Sequence, residues 1–101
     1  MRAVAHTSFH TPAATDSVLD AVRRIAERQR RAEWRILDDR RVVFTTRGTA
    51  FSGPRTVHVA AAALPTGSDV RIALEEPAGG HARRVRGAAD RLSARLQLAL
   101  R

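Results

Sequence analysis

Among 101 residues, the side chains able to act as nucleophile, general base or metal ligand are few: four histidines, ten carboxylates and scattered serines, with neither cysteine nor tyrosine. The absence of cysteine removes disulfides, thiolate zinc sites and thiol nucleophiles, and fits a reducing compartment. Ser8, Ser17, Ser52, Ser68 and Ser93 lack a G-x-S-x-G elbow or any comparable nucleophile context. Asp38-Asp39 and Glu75-Glu76 are adjacent pairs. In extended chain, neighbouring side chains point to opposite faces, so neither pair can share a proton, and both read as solubilising residues of a turn and a strand end.

His6 and His10 would stand on one side of a strand, where their separation of roughly 13 Å is too large for a shared metal. On a helix the same spacing would suit zinc, but Thr11-Pro12 places the helix start after them. No G-x-x-x-x-G-K-[ST] loop is present, so nucleotide hydrolysis has no support. Neither enzyme activity nor a cofactor is expected.

What the chain has in quantity is arginine. All eighteen basic residues are arginine against ten acidic ones, for a formal charge of +8. Codon bias in a GC-rich genome accounts for arginine in place of lysine but not for the excess of base over acid. That excess favours an anionic partner such as nucleic acid, phosphate or an acidic protein surface. The sequence Gly79-Gly80, followed by His81, Arg83 and Arg84, is one place where an anion could dock. A helix opening there would present unpaired backbone N–H groups and a positive dipole end. The plainer reading of Gly-Gly is a flexible connection from strand to helix.

The elements that must position these residues follow from periodicity. Residues 2–10 alternate loosely as a first strand. Thr11 as N-cap and Pro12 at the first helical position then open a helix expected over Pro12–Arg31, with Val18, Leu19, Val22, Ile25 and Ala26 on one face and a favourable Glu27/Arg31 pair on the other. Trp34 and Ile36, then Val42 and Phe44, alternate with polar residues around the turn-prone Asp38-Asp39 and predict a hairpin. Beyond a Gly48–Pro54 connection, Val57, Val59 and Ala61 pair with Val70, Ile72 and Leu74 across the turn Pro65-Thr66-Gly67-Ser68. Val85, Ala89, Leu92, Leu96 and Ala99 mark one face of a closing helix that runs to about Leu100.

The expected fold is therefore a single α+β domain over residues 1–101. It is a two-layer sandwich of order β-α-β-β-β-β-α, with an antiparallel sheet carrying both helices on one face. This order is similar to that of helix-grip and TATA-binding-protein-like folds, whose members range from ligand carriers to DNA binders; fold alone transfers neither function.

Strand parity gives the expected site. With the apolar series turned to the helices, Arg35, Arg41, Arg47, His58 and Arg71 share the outer sheet face, with Ala60, Ala62 and Ala73 between them. Arginine bonds phosphate through a planar fork. Together with Gly79, Gly80, Arg83 and Arg84, these residues make the expected chain a non-enzymatic basic module for nucleic acid or an acidic protein. Without an aromatic platform, nucleic-acid binding would be mostly electrostatic.

The alternatives are a carrier of a small hydrophobic ligand, with a cavity between the sheet and the closing helix near Trp34, Phe44, Phe51 and Leu96, and a structural subunit that self-associates, for example as a homodimer. No apolar run approaches a membrane span and no leader is evident at the N-terminus, so the default expectation is cytoplasmic.

Overall fold

The computed structural model describes residues 3–28, 33–38, 40–46, 54–76 and 82–101, with the backbone alone at Trp34 and Ile36. The elements are β1 (Ala3–Thr11), α1 (Thr15–Arg28), β2 (Glu33–Asp38), β3 (Arg41–Thr46), β4 (Arg55–Leu64), β5 (Gly67–Glu76) and α2 (Ala82–Ala99). The α+β class, the order β-α-β-β-β-β-α and the placement of both helices against the sheet are as the periodicity predicts. The five strands run in the order β1-β5-β4-β3-β2, and every neighbouring pair is antiparallel.

Alternation along the strands builds the core. Val42 and Phe44, Val57, Val59 and Ala61, and Val70, Ile72 and Leu74 are buried on the inner face. Above them lie Val18, Val22, Ile25 and Ala26 of α1 and Val85, Ala89, Leu92 and Leu96 of α2. Each helix thus buries one apolar stripe. Cross-strand partners on the inner face, such as Phe44, Val57 and Leu74, form continuous apolar rows.

Three local predictions need correction: the start of the first helix, the Thr11 cap and Glu76. The first helix begins at Thr15, not Pro12, because Thr11 is still in the ladder opposite Ser68. The Thr11 hydroxyl then accepts the Ala13 N–H at 3.2 Å and turns the chain, so it ends a strand and does not cap the helix. The first helical bond is instead donated by Val18 N–H to Ala14 O at 3.1 Å. Glu27 accepts a bond from Arg23 Nε at 3.0 Å, whereas its expected partner Arg31 lies outside the described residues.

The third correction concerns Glu76, which is buried, as described below. The β4–β5 hairpin turns as expected. Gly67 adopts a φ of +139° there, and its α-carbon packs so closely on Thr11 and Pro12 that a side chain would collide with their backbone.

Candidate functional site

On the inner face, the sheet and α2 do not close completely. At the end of the sheet where β4 begins and β5 finishes, they enclose a cleft of about 210 Å³ lined by Phe44, Val57, Leu74, Ala88 and Leu92, with Thr46, Arg55, Arg91 and Arg95 completing it. Apolar alternation delivers the first group: Phe44, Val57 and Leu74 are direct neighbours on three strands, and Ala88 and Leu92 lie one turn apart on the buried side of α2. Helical spacing also sets Arg91 and Arg95 one turn apart, and both are exposed. Arg55 enters from the first residue of β4, opposite Thr46.

Beside the cleft lies an ion cluster. Glu76 ends β5 with the same parity as Val70, Ile72 and Leu74, so its carboxylate is turned inward, and it is fully buried. Its Oε2 lies 3.4 Å from Arg55 Nε, and its Oε1 accepts a bond from Arg84 Nη2 at 3.0 Å. A carboxylate withdrawn from water is tolerable only when paired this closely. The cluster ties the end of β5 to the start of β4 and to the first turn of α2. Adjacent-pair reasoning makes Glu75-Glu76 a solubilising strand end, which holds only for Glu75, half-buried on the outer face. The signal for Glu76 was present in the sequence, since V-x-I-x-L-x-E continues the inward parity. Arg55, like Thr46, Ala88, Arg91 and Arg95, is a cleft residue that sequence reasoning missed, and it carries no motif.

The sequence-derived anion residues fall into separate places. Arg35, Arg41, His58 and Arg71 are all exposed on the outer sheet face. Arg41 pairs with Ala60, Ala60 with Arg71, and Val43 with both Arg35 and His58. Arg41 is engaged by Asp38, whose Oδ2 lies 2.8 Å from Arg41 Nη2. The Asp38 carboxyl is held below its ordinary value by the Arg40 backbone N–H, then by the Arg41 side chain.

Arg83 is exposed at the start of α2, whereas Arg84 is half-buried and its Nη2 donates to Glu76. Arg47, Gly79 and Gly80 lie outside the described residues, as does Phe51. Leu96, expected near a cavity, is fully buried in the core one turn from the cleft-lining Leu92. His6 and His10 are both exposed, and His10 Nδ1 lies 3.6 Å from Asp69 Oδ1. Among the described residues no group of three or more His, Cys, Asp or Glu is arranged to hold a metal, and no helix is long and apolar enough to cross a membrane.

No protein-family model matches the chain, and no curated protein does so. Solved structures do. Protein CV1439 from Chromobacterium violaceum superposes with a TM-score of 0.71 at 12% identity, covering 96% of each chain. The likeness is one of fold. The di-domain ARO/CYC StfQ from the steffimycin biosynthetic pathway follows at a TM-score of 0.67 and 12% identity; 99% of this chain is covered, but only 50% of StfQ. The chain therefore spans half the length of that protein. Protein MLL2253 from Mesorhizobium loti gives a TM-score of 0.64 at 13% identity over 96% of this chain and 93% of its own. At such identities the shared feature is the sheet with its two helices, and site residues do not carry over.

Proposed function

We propose that this chain is a binding module for a small, largely apolar molecule, held in the cleft between the inner sheet face and α2, and that it works by binding without catalysis. The observation that carries this reading is the cleft itself. Phe44, Val57, Leu74 and Leu92 belong to the core and keep only slight exposure, yet they form the floor of a concave opening between the sheet and α2. An engineered apolar cavity of ~150 Å³ accepts benzene, so about 210 Å³ has room for a substituted ring or a short acyl chain.

A concave site with an apolar floor and a few polar groups is the usual form of a small-molecule pocket. Among the described residues that line it there is no histidine, carboxylate, serine or cysteine to serve as base or nucleophile, which favours binding over chemistry. StfQ, named for a small-molecule biosynthetic pathway, shares this fold, and that adds support for a small organic ligand.

Native mass spectrometry of protein purified from its source cells tests the reading. A bound organic molecule is expected, together with its loss from an Ala88→Phe variant that fills the cleft but remains folded. Equal retention by both proteins would place any ligand elsewhere and refute the cleft.

A second reading has its own observation. Arg35, Arg41, His58 and Arg71 do share an outer face that neither helix covers, which suits an anionic macromolecule. Glu33, Asp69 and Glu75 on the same face dilute its charge, so this surface supports weaker and less specific binding than the cleft. Nucleic-acid affinity that falls steeply with salt and is lost on replacing Arg35 and Arg71 would support it; absence of binding at ~50 mM salt would exclude it.

A further inference from the structure

We infer that the ligand of the cleft is a carboxylate or similar planar oxyanion on an apolar body, that Arg55 binds its charged head, and that buried Glu76 is the positioning residue that aims Arg55. This inference rests on the cleft reading above and adds the chemical class of the ligand. Three features support it together.

The first is charge asymmetry. Among the described residues, the cleft's polar lining is Thr46 with Arg55, Arg91 and Arg95, and none of them is acidic. Arg91 and Arg95 make no ion pair among the described residues, so they leave positive charge unneutralised at the opening. A neutral ligand would gain only short-range contacts from these guanidinium groups, whereas an anion is also attracted by the charge that Arg91 and Arg95 leave unpaired among the described residues.

The second feature is how Arg55 is held. Its side chain is about a quarter exposed, with the remainder inside the protein. The contact with Glu76 Oε2 uses the Nε position, at 3.4 Å. A guanidinium has two edges that can fork a carboxylate. Engagement of Nε by Glu76 leaves the far edge, formed by the two terminal nitrogens, to meet a second carboxylate. Glu76 does not compete for that edge.

The third feature is burial of the positioning carboxylate. Glu76 is fully buried and is itself fixed from the other side by Arg84 at the first turn of α2. An exposed glutamate would let Arg55 sample many rotamers; a buried one fixes the guanidinium before the ligand arrives and lowers the ordering cost of binding. Phe44, Val57, Leu74 and Leu92 would then take the apolar body while the head lies at the Arg55 end.

The sign of the Glu76 effect separates positioning from simple electrostatics. Replacing Glu76 by glutamine removes a negative charge beside the cleft. If the carboxylate were only a neighbouring charge, or a competitor for Arg55, anion binding would tighten. If it aims Arg55, anion binding weakens even though the local potential has become more positive.

The test uses 4-propylbenzoate and its neutral isostere 4-propylbenzamide, titrated at pH 7 into ¹⁵N-labelled protein and followed by amide chemical shifts. Shifts centred on Phe44, Val57, Leu74 and Leu92 are expected for both, with the carboxylate bound at least about tenfold more tightly. Arg55→Gln and Glu76→Gln should each reduce that preference to within about threefold. Should Glu76→Gln fail to fold, Arg55→Lys replaces it: the charge is kept but the fork is lost, and the preference should still fall.

Equal affinities for the two probes in the wild-type protein would overturn the inference and leave the cleft reading standing. Tighter carboxylate binding by Glu76→Gln would overturn the positioning role, and an undiminished preference in Arg55→Lys would overturn the Arg55 fork that the positioning serves. Absence of shifts at the cleft with either probe would overturn both the cleft reading and the inference built on it.

Discussion

Leu92 and Leu96 lie one turn apart on the buried side of α2, yet shortening them to alanine should cost different amounts. Leu96 is fully enclosed by the core, whereas Leu92 forms part of the cleft lining. Either truncation removes three carbons, which at about 0.8 kcal/mol per methylene-sized group gives a transfer loss of about 2.4 kcal/mol. Around Leu96 the space left behind is closed. If ~60 Å³ of it survives relaxation, the void adds ~1.4 kcal/mol at about 24 cal/mol per Å³, for a total near 4 kcal/mol.

Around Leu92 the new space merges with the existing cleft of about 210 Å³, which opens to solvent, so the closed-void term largely disappears. A loss near 2 kcal/mol remains. Urea unfolding of the two variants and the wild-type protein, with a common m-value, measures the difference directly. Leu96→Ala should be the less stable by about 1–2 kcal/mol. If Leu92→Ala is as costly, or both variants unfold near the wild-type midpoint, then either the cleft is not open beside Leu92 or α2 is not packed as described.

The glycines give two opposed expectations. A methyl group on Gly67 would fall against Thr11 O and 2.6 Å from Pro12 Cα, at a φ of +139°. Gly67→Ala should therefore cost more than the roughly 1–3 kcal/mol of positive-φ strain alone, seen as a large drop in melting temperature. Inside α2, a methyl group on Gly87 would meet Arg91 Nη1 at 3.5 Å, an ordinary contact. Gly87→Ala should raise stability by about 0.5–1 kcal/mol through helix propensity; a destabilised variant would show that the space over Gly87 is needed.

Asp38 gives a pH prediction. Its carboxyl titrates below the ordinary aspartate range, so its contribution is fully present above that range and fades as pH falls through the folded value. Asp38→Asn should flatten the acid side of the stability profile below about pH 4 and leave its shape at neutral pH unchanged. Identical acid limbs for the two proteins would remove Asp38 from the explanation.

Local pattern was enough to specify the elements and their faces. Alternation at Val57, Val59 and Ala61 and at Val70, Ile72 and Leu74 set both the strands and the side they bury, because a strand has only two faces. The helical stripes Val18, Val22 and Ile25 and Val85, Leu92 and Leu96 placed two helices on that same side. The same parity correctly set Arg35, Arg41, His58 and Arg71 on the outer face. It would also have turned Glu76 inward, had the run been carried one residue pair further.

The meeting of distant groups could not be read in this way. Arg55 and Glu76 are 21 positions apart and Arg84 is 8 beyond Glu76, and no local rule joins them. They come together because β4 and β5 pair in one register and α2 folds back over the end of β5. The helix start moved to Thr15 for a related reason: the Thr11 ladder position opposite Ser68 outcompetes a local capping signal. The sequence by itself determined which residues face inward. Only the tertiary structure decided that a cleft remains between the inward face and α2 and that a buried carboxylate meets Arg55 and Arg84 beside it, since both depend on how β4, β5 and α2 come together at one end of the sheet.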